Sequence, residues 1–216
     1  PIQDNKRKYI DVFKSHMTNT VSPLHHPVVA ITGAADGIGW ATAQLFAARG
    51  WCVALLDMDG HKANERAQTL GKQHLGLTCD VTDETQASNA ITKVVSQLGR
   101  LDALVNNAGI GDQAVPTLQQ TAQAFDRVLS VHLRGAFLMT QAALSHMRTQ
   151  GRDGKGNRGA IVNIGSIAST GGIPGRNAYS AAKAGILGMT RALATEWARQ
   201  GIRVNAVAPG YAATAL

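Results

Sequence analysis

The chain has 216 residues, of which 44% are hydrophobic and 16% charged, a composition that suits one globular domain with a sizeable core and excludes an intrinsically disordered chain. The sequence contains no apolar run of membrane-spanning length and no secretory pattern at its N-terminus, so we expect a cytoplasmic protein that does not enter a membrane. The net charge is +7, but the basic residues are scattered with few aromatic residues among them, and we therefore expect no nucleic-acid partner.

Residues 1–27 differ in composition from the rest of the chain. They are polar and loop-like, and Ser-His-Met at positions 15–17 resembles the junction that a cloning site leaves. We expect Met17 to be the natural start and residues 1–16 to derive from an expression vector. The alternative is a genuine extension that packs on a neighbouring subunit. The functional domain is predicted to span residues 28–216.

From residue 28 onward, predicted strands alternate with predicted helices. Short apolar runs predict strands at 28–32, 52–57, 75–79, 102–106, 160–164 and 203–207. Amphipathic spacing predicts helices at 38–49, 61–72, 84–98, 177–199 and 118–150, the last of which is long enough to be broken. This alternation predicts an α/β fold, a single-domain doubly wound parallel sheet of the Rossmann type with helices on both faces. The glycine-rich segment 151–159 is expected to be a solvated connector at the edge opposite the functional one.

The two cysteines are expected to be free. Cys52 begins the second predicted strand and Cys79 ends the third. If these strands are parallel neighbours, the two thiols lie at opposite ends and cannot form a disulfide. Buried, unreactive thiols in a reducing compartment are the simplest interpretation.

A glycine-rich turn follows the first predicted strand, in V-V-A-I-T-G-A-A-D-G-I-G at 28–39. Glycines at 33, 37 and 39 let the backbone turn sharply and approach a pyrophosphate, and the helix that follows offers free N–H groups at its start. The spacing is G-x-x-x-G-x-G rather than G-x-G-x-x-G. The alternative is a tight turn without a ligand, but the strand before it and the helix after it favour a dinucleotide site.

A tyrosine and a lysine stand four positions apart in Y-S-A-A-K at 179–183, with Ser166 thirteen positions before the tyrosine. On a helix, Tyr179 and Lys183 share one face, one turn apart. An ammonium group beside a phenol favours the phenolate, which makes tyrosine usable as an acid or a base. Alone this pattern also fits an ordinary amphipathic helix, and its weight comes from its agreement with the glycine turn.

Six segments, in this order, resemble those of the short-chain dehydrogenase/reductase family. They are T-G-A-A-D-G-I-G at 32–39, C-D-V-T-D at 79–83, N-N-A-G at 106–109, N-I-G-S at 163–166, Y-S-A-A-K at 179–183 and P-G-Y-A-A-T at 209–214. The resemblance covers residues 28–216 and implies an oxidoreductase that transfers a hydride between NAD(H) and a secondary alcohol or ketone. Family members continue beyond the last segment, so we expect the C-terminal edge of the fold to be incomplete in this chain.

The resemblance implies a set of cofactor-binding residues. They are Gly33, Asp36, Gly37, Ile38, Gly39, Asp57, Asp80, Val81, Asn107, Ala108, Gly109, Tyr179, Lys183, Pro209, Gly210 and Thr214. Asp57 ends the second predicted strand, where an acid accepts hydrogen bonds from ribose hydroxyls and repels the extra phosphate of NADP. The loop that holds Asp36 has no basic residue. NAD is therefore favoured over NADP.

Several polar residues have simpler alternative roles. Asp57 can form a turn, Asp80 can cap the next helix, and Asn106 and Asn107 can brace the central sheet. Arg176 can meet an anionic group of a substrate, although a solvated turn residue is the simpler interpretation.

The resemblance also implies a catalytic set. Tyr179 acts as acid in carbonyl reduction and as base in alcohol oxidation, Lys183 supports it and binds the nicotinamide ribose, and Ser166 hydrogen-bonds the substrate oxygen. His132 stands where the family usually has an asparagine that holds a water molecule of a proton relay. Neutral histidine can donate and accept, so we expect His132 to take over this role; the alternative is a histidine that only packs. No metal is expected, because the seven histidines lack a ligand spacing.

Other functions and partners stay open on the residues alone. The first rival is a 3-oxoacyl reductase that acts on carrier-linked acyl chains with NADP(H). The second is a non-catalytic NAD-binding sensor, and the third is a scaffold that binds no nicotinamide. The resemblance implies a small-molecule alcohol or ketone as substrate and a homotetramer or homodimer assembled through the helices at 118–150 and 177–199.

Overall fold

The computed structural model describes residues 26–111 and 113–212. Its strands are β1 (Val28–Thr32), β2 (Cys52–Asp57), β3 (Leu75–Thr78), β4 (Ala103–Asn106), β5 (Gly159–Ile164) and β6 (Ile202–Val207). Its α-helices are α1 (Gly37–Ala48), α2 (Gly60–Leu70), α3 (Glu84–Leu98), α4 (Ala122–Leu129), α5 (Gly135–Met147), α6 (Ala168–Gly171) and α7 (Asn177–Trp197). A π-helical turn (Ser130–Arg134) joins α4 to α5, and 3₁₀ turns lie at Thr117–Gln119 and Ala198–Gln200.

The six strands form one parallel sheet in the order β3-β2-β1-β4-β5-β6. In the register of the central strands, Ile31 lies beside Leu55 on one side and Val105 on the other. The winding direction reverses between β1 and β4, and the carboxyl ends of these two strands form the crevice in which doubly wound folds bind ligands. The predicted fold class is confirmed.

The sheet separates two apolar cores, because neighbouring residues of a strand point to opposite faces. On one face, Ala30 packs in a cluster with Ile91 of α3 and Met139 of α5. On the other face, Ile31 packs in a cluster with Ala43 of α1. Both faces of the central strands are covered, which explains why their sequences are apolar without alternation.

A buried polar network ties α5 and α7 to the sheet. Asn106 Nδ2 donates to Asn163 Oδ1 at 2.8 Å and to Thr140 Oγ1 at 2.9 Å. Asn163 Nδ2 in turn donates to Thr190 Oγ1 on α7 at 2.9 Å. Buried amides are costly to leave without partners, so these bonds fix the rotation of α7 against the sheet. Asn106 therefore braces the central sheet.

Most predicted elements agree with the observed ones to within two residues, and the clearest difference is at 118–150. The stretch predicted there as a helix long enough to be broken is interrupted after the 3₁₀ turn and continues as α4, the π-helical turn and α5. Helix α6 was not predicted, because four residues are too few to show a period. The connector at 151–159 enters the amino end of β5, at the edge opposite the glycine turn, as predicted.

The two cysteines lie at opposite ends of neighbouring strands, as predicted. Cys52 begins β2 and Cys79 directly follows β3, which pairs with β2 in parallel. Both are free thiols. Burial, together with the nearby carboxylates of Asp80, Asp83 and Asp57, raises the pKa of Cys79 to about 11 and keeps this thiol protonated.

Two further predictions concern residues outside the described ranges, namely the vector-derived origin of residues 1–16 and the cofactor role of Thr214. Within residues 26–111 and 113–212, no helix combines the length and the apolar character that crossing a membrane requires.

Candidate active site

The carboxyl edge of the sheet carries a cavity of about 520 Å³. Its walls come from the segments that follow β1 to β6, from the π-helical turn and from the start of α7. The predicted site residues that line it are Gly33, Asp36, Gly37, Ile38, Asp57, Asp80, Val81, Asn107, Ala108, Gly109, His132, Ser166, Tyr179, Lys183, Pro209 and Gly210. Residues spread over most of the domain therefore converge on one cavity.

The turn after β1 leaves no room for a side chain at Gly33 or Gly39. Gly33 has φ of +63°, a conformation that favours glycine. A Cβ on Gly39 would lie 2.1 Å from the Gly33 carbonyl oxygen, so Gly39 packs against the turn and does not line the cavity. The N–H of Ile38, in the first turn of α1, has no partner within the helix. Such an N–H and the positive end of the helix dipole suit an anion.

The segment after β4 is fastened to the end of β1 by Thr32 and Asn107. Thr32 Oγ1 accepts from Asn107 N at 3.0 Å and from Ala108 N at 2.9 Å. Asn107 Nδ2 donates to the carbonyl oxygens of Thr32 and Gly33 at 2.9 and 3.0 Å. The side chain of Asn107 thus holds the glycine turn in shape, and its neighbours line the cavity with backbone and a methyl group.

Two carboxylates at one end of the cavity have backbone partners as well as an open side. Asp57 accepts from Ala35 N at 3.0 Å and from Asp59 N at 3.1 Å, which orients its carboxylate at the end of β2. Asp80 accepts from the N–H and the hydroxyl of Thr82, both at 2.8 Å. The cap of α3 is Asp83 and not Asp80.

A basic residue reaches this end of the cavity from α2. Lys62 Nζ lies 2.7 Å from Asp36 Oδ2. Hydrogen bonding to Lys62 and to the Gly37 N–H lowers the pKa of Asp36. The glycine turn itself has no basic residue, but the fold supplies one, and in this structure it is paired with a carboxylate.

Lys183 brings a buried cation to the other end of the cavity. Its side chain is 5% exposed, and Nζ donates to the carbonyl oxygen of Ile164 at 2.7 Å. Nζ also lies 5.7 Å from the centre of the Tyr179 ring. Burial lowers the pKa of Lys183 to about 8, so the ammonium form still predominates at neutral pH.

Ser166 is buried where β5 leads into α6, and its hydroxyl is oriented by the backbone. Its Oγ accepts from the Ala168 N–H at 3.1 Å. Its own N–H donates to Ser169 Oγ at 3.1 Å. Because the backbone N–H occupies an acceptor position, the Ser166 hydroxyl retains its proton for an acceptor in the cavity.

His132 belongs to the π-helical turn, and its ring packs against the ring of Tyr179 in α7. The two rings meet edge to face, with centres 5.3 Å apart and an angle of 90°. A Cβ on Gly109 would lie 2.5 Å from His132 Cε1, so the imidazole fits because position 109 has no side chain. Wide turns of this kind occur often at functional sites, since they aim a side chain away from the regular helical row.

The nitrogens of His132 have unequal surroundings. Nε2 lies 3.0 Å from the carbonyl oxygen of Ile110 and 3.2 Å from its N–H, so it can donate to the one or accept from the other. Nδ1 is buried and has no hydrogen-bond partner among the described residues. Burial and then the charge of Lys183 lower the pKa of His132 to about 4. The imidazole is therefore neutral at physiological pH.

Comparisons with known proteins agree with this geometry. The family model described as "short chain dehydrogenase" matches residues 27–216. The chain belongs to the short-chain dehydrogenase family. It is 42% identical over 192 residues to cis-4-hydroxycyclohexanecarboxylate dehydrogenase of Sinomonas cyclohexanicum, covering 88% of this chain and 74% of that protein. It is 40% identical over 202 residues to levodione reductase of Leifsonia aquatica, covering 90% and 73%.

Solved structures show the same likeness. The crystal structure of 3-ketoacyl-(acyl-carrier-protein) reductase from Brucella melitensis complexed with NADH matches with a TM-score of 0.84 at 33% identity, covering 89% of this chain and 78% of that one. As a short-chain dehydrogenase, the chain is an oxidoreductase that acts on CH–OH groups and uses NAD(P). Its residues fit that cofactor, since free first-turn N–H groups suit a pyrophosphate and the carboxylate of Asp57 suits ribose hydroxyls.

Some residues of this short-chain dehydrogenase site were not predicted. Thr32 is buried and holds the segment after β4, and a hydroxyl at the end of an apolar strand is the signal that points to it. Lys62 is 26 positions from its partner in the chain, and Ile164 contributes only a carbonyl group. Neither of these has a side-chain pattern that predicts its contact.

We expect His132 to make the stability of this short-chain dehydrogenase depend on pH. Its pKa is lower in the folded protein, about 4 against 6.5, so the unfolded chain binds more protons between these values. The contribution is present above pH 6.5 and is lost as the pH falls, by about 2 kcal/mol at pH 5. Urea unfolding from pH 7.5 to 5 should show this loss in the wild type and not in His132→Asn. Equal slopes for both proteins would contradict it, and His61→Asn, at an exposed position, is the matched control.

Proposed function

We propose that the chain is an NAD-dependent dehydrogenase of a small secondary alcohol, or the reductase of the corresponding ketone, with Ser166, Tyr179 and Lys183 as its catalytic set. The observation that carries the proposal is the buried ammonium group of Lys183, which has no carboxylate partner among the described residues and lies beside Tyr179 in the cavity. A buried cation without a counter-ion is costly. It is useful where negative charge develops, as on a phenolic oxygen during proton transfer.

Each residue of this set has a distinct task in the proposal. Tyr179 gives its phenolic proton to the ketone oxygen in reduction and takes a proton from the hydroxyl group in oxidation. The Ser166 hydroxyl donates to the same oxygen, and the Ala168 N–H restricts its orientation. Lys183 stabilises the charge on the Tyr179 oxygen and binds a ribose hydroxyl of the cofactor. When bound, the nicotinamide ring supplies or accepts the hydride.

The remaining predicted site residues are proposed to bind the dinucleotide. The turn and the start of α1 would hold the pyrophosphate, Asp57 the adenosine ribose, and Asp80 and Val81 the adenine. The nicotinamide half would lie along the other residues, which are Asn107, Ala108, Gly109, Pro209, Gly210 and Thr214. Asn107 would act there through the backbone, since its side chain is committed to the glycine turn.

NAD is proposed over NADP because the ribose end of the cavity is acidic. Asp57 and Asp36 line this end, and because Lys62 pairs with Asp36, the carboxylate of Asp57 leaves a net negative charge that would repel a 2′-phosphate. Lys62 supplies the basic side chain near this end of the cavity, and its ammonium group is paired with the Asp36 carboxylate at 2.7 Å. NADP binding would require this ion pair to open.

His132 is proposed to replace the asparagine of the family's proton relay. Its Nδ1 is buried without a partner among the described residues, and the side chain lines the cavity beside Tyr179. A neutral imidazole can accept at one nitrogen and donate at the other, which is what holding a relay water requires. The low pKa of about 4 keeps it in this form throughout the physiological range.

The substrate is proposed to be a small alcohol or ketone, as the names of the two relatives suggest. A 3-oxoacyl reductase is the second candidate, favoured by the likeness to the Brucella enzyme, whose structure contains NADH.

Assembly as a homotetramer or homodimer is proposed through α5 and α7, where Phe137 is 46% exposed. We also propose that the protein is located in the cytoplasm.

Removing the phenolic hydroxyl should abolish turnover without abolishing cofactor binding. We expect Tyr179→Phe to lower kcat by about 10³-fold, because general acid–base catalysis contributes roughly this much. The assay is NADH absorbance with a panel of secondary alcohols and ketones, and NADH fluorescence reports binding separately. Tyr211→Phe is the matched control, since Tyr211 is 97% exposed. Wild-type binding of NADH without turnover of any panel member would favour a sensor, and no binding would favour a scaffold.

The relay role of His132 is tested by two variants. We expect His132→Asn to keep most of the activity and His132→Ala to lower kcat about tenfold or more, with added imidazole restoring part of the loss in the alanine variant. Steady-state kinetics from pH 6 to 9 give these values. Wild-type rates and pH profiles in both variants would contradict the relay and leave a packing role.

Cofactor choice should depend on Asp57. We expect the wild type to use NAD with a kcat/KM at least tenfold above that for NADP, and Asp57→Asn to reduce this ratio about tenfold by removing a charge while keeping the shape. Asp126→Asn, at an exposed position of α4, is the control. A wild-type preference for NADPH would instead support the 3-oxoacyl reductase.

A further inference from the structure

Charges are segregated along the cavity. Its carboxylates, those of Asp36, Asp57 and Asp80, all follow β1, β2 and β3. Its cations are Arg176, which directly precedes α7, and Lys183, in the second turn of α7, and no carboxylate among the described residues lines the cavity there. The end at which Tyr179 lies is therefore electropositive, and it would attract an anion and repel a cation.

Arg176 lies on the N-terminal side of Tyr179 along the axis of α7, opposite to Lys183. Tyr179 and Lys183 lie four positions apart on one face of α7, and Arg176, whose backbone is not helical, directly precedes that helix. Lys183 is bound to Ile164 at the end of β5, whereas Arg176 is only half-buried. Arg176 thus borders the part of the cavity beyond the tyrosine, where the body of a substrate would extend.

The backbone at Arg176 is held firmly. Its N–H donates to the Ile173 carbonyl oxygen at 3.0 Å, and its own carbonyl oxygen accepts from Ser180 N at 2.9 Å. On the two sides of Arg176, the chain is tied to the segment after β4, through Val115 N to the Gly175 carbonyl oxygen at 3.0 Å and through Asn177 Nδ2 to Thr117 Oγ1 at 2.9 Å. The base of the arginine is therefore fixed relative to the cavity.

The guanidinium group of Arg176 has neither an ion pair nor a hydrogen-bond partner among residues 26–111 and 113–212. The ion pairs found within those ranges are Lys62–Asp36, Arg100–Asp102 and His61–Glu65. A half-buried guanidinium that lines a cavity beside a reactive tyrosine is well suited to bind two oxygen atoms of an anion at once.

We propose that Arg176 binds an oxyanion group of the substrate, so that the enzyme acts on secondary alcohols or ketones that carry a carboxylate or a similar group. This inference rests on the proposed function and narrows its substrate class. Arg176 directly precedes α7 and Tyr179 is the third residue of that helix, so the two backbones are within about one helical turn of each other, roughly 5 Å along the axis. The anionic group therefore lies a few bonds from the carbon that reacts.

The test compares ketones that differ only in charge. The probes are 3-oxobutanoate, 4-oxopentanoate and 5-oxohexanoate, each beside its methyl ester, with the wild type, Arg176→Gln and Arg176→Lys. We expect at least one acid to have a kcat/KM about tenfold or more above its ester in the wild type. Arg176→Gln should remove this advantage through KM while leaving the esters unchanged, and Arg176→Lys should keep part of it. Arg199→Gln, at an exposed position after α7, is the matched control.

Binding separates this proposal from the proposed function. Quenching of NADH fluorescence in the enzyme–NADH complex measures the affinity of all six probes without turnover. Equal affinities and rates for acids and esters in the wild type would overturn the role of Arg176 and leave the dehydrogenase intact. If no probe is turned over but the acids still bind better than the esters, and only when Arg176 is present, the anion site stands and the failure lies with the proposed reaction.

Discussion

The site depends on the contact between the glycine turn and the segment after β4. Gly33, Gly39 and Asn107 meet so closely that a Cβ on Gly39 would lie 2.6 Å from Asn107 Nδ2. Thr32 closes the contact by accepting two backbone N–H groups of that segment. Backbone rather than side chain therefore forms the floor of the crevice between β1 and β4. A dinucleotide can lie close to this floor because no side chain projects from it.

At the other end, one buried cation sets the electrostatics. Burial lowers the pKa of Lys183 to about 8, and the remaining positive charge helps to keep His132 neutral. A charged imidazole could not accept a hydrogen bond, so the lysine preserves the property for which the histidine is useful. The bond from Nζ to the Ile164 carbonyl oxygen fixes this charge to the end of β5. The position of the Lys183 charge in the cavity is thus set by the position of one carbonyl group at the end of β5.

The fold and most of the site could be predicted because their signals are local. The apolar run of β1, the glycines after it and the four-residue spacing of Tyr179 and Lys183 each depend on neighbours in the chain. The contacts that could not be predicted join residues that are far apart in the chain. The pairing of Lys62 with Asp36 joins α2 to the glycine turn. The helix predicted at 118–150 is interrupted at Gln120 and Thr121, where the backbone is extended, and it widens at Ser130–Arg134, where the periodicity of the sequence has no signal.

The π-helical turn at Ser130–Arg134 contains one residue more than a regular α-helix would need over the same length. Each residue of an α-helix rotates the chain by about 100°. Deleting one residue here would restore a regular helix with α4 and α5 in their present orientation, but residues of the turn would be rotated about the helix axis by up to that angle, so that His132 could not keep its contact with Tyr179. The extra residue of this turn therefore determines where His132 points, independently of how α4 and α5 pack.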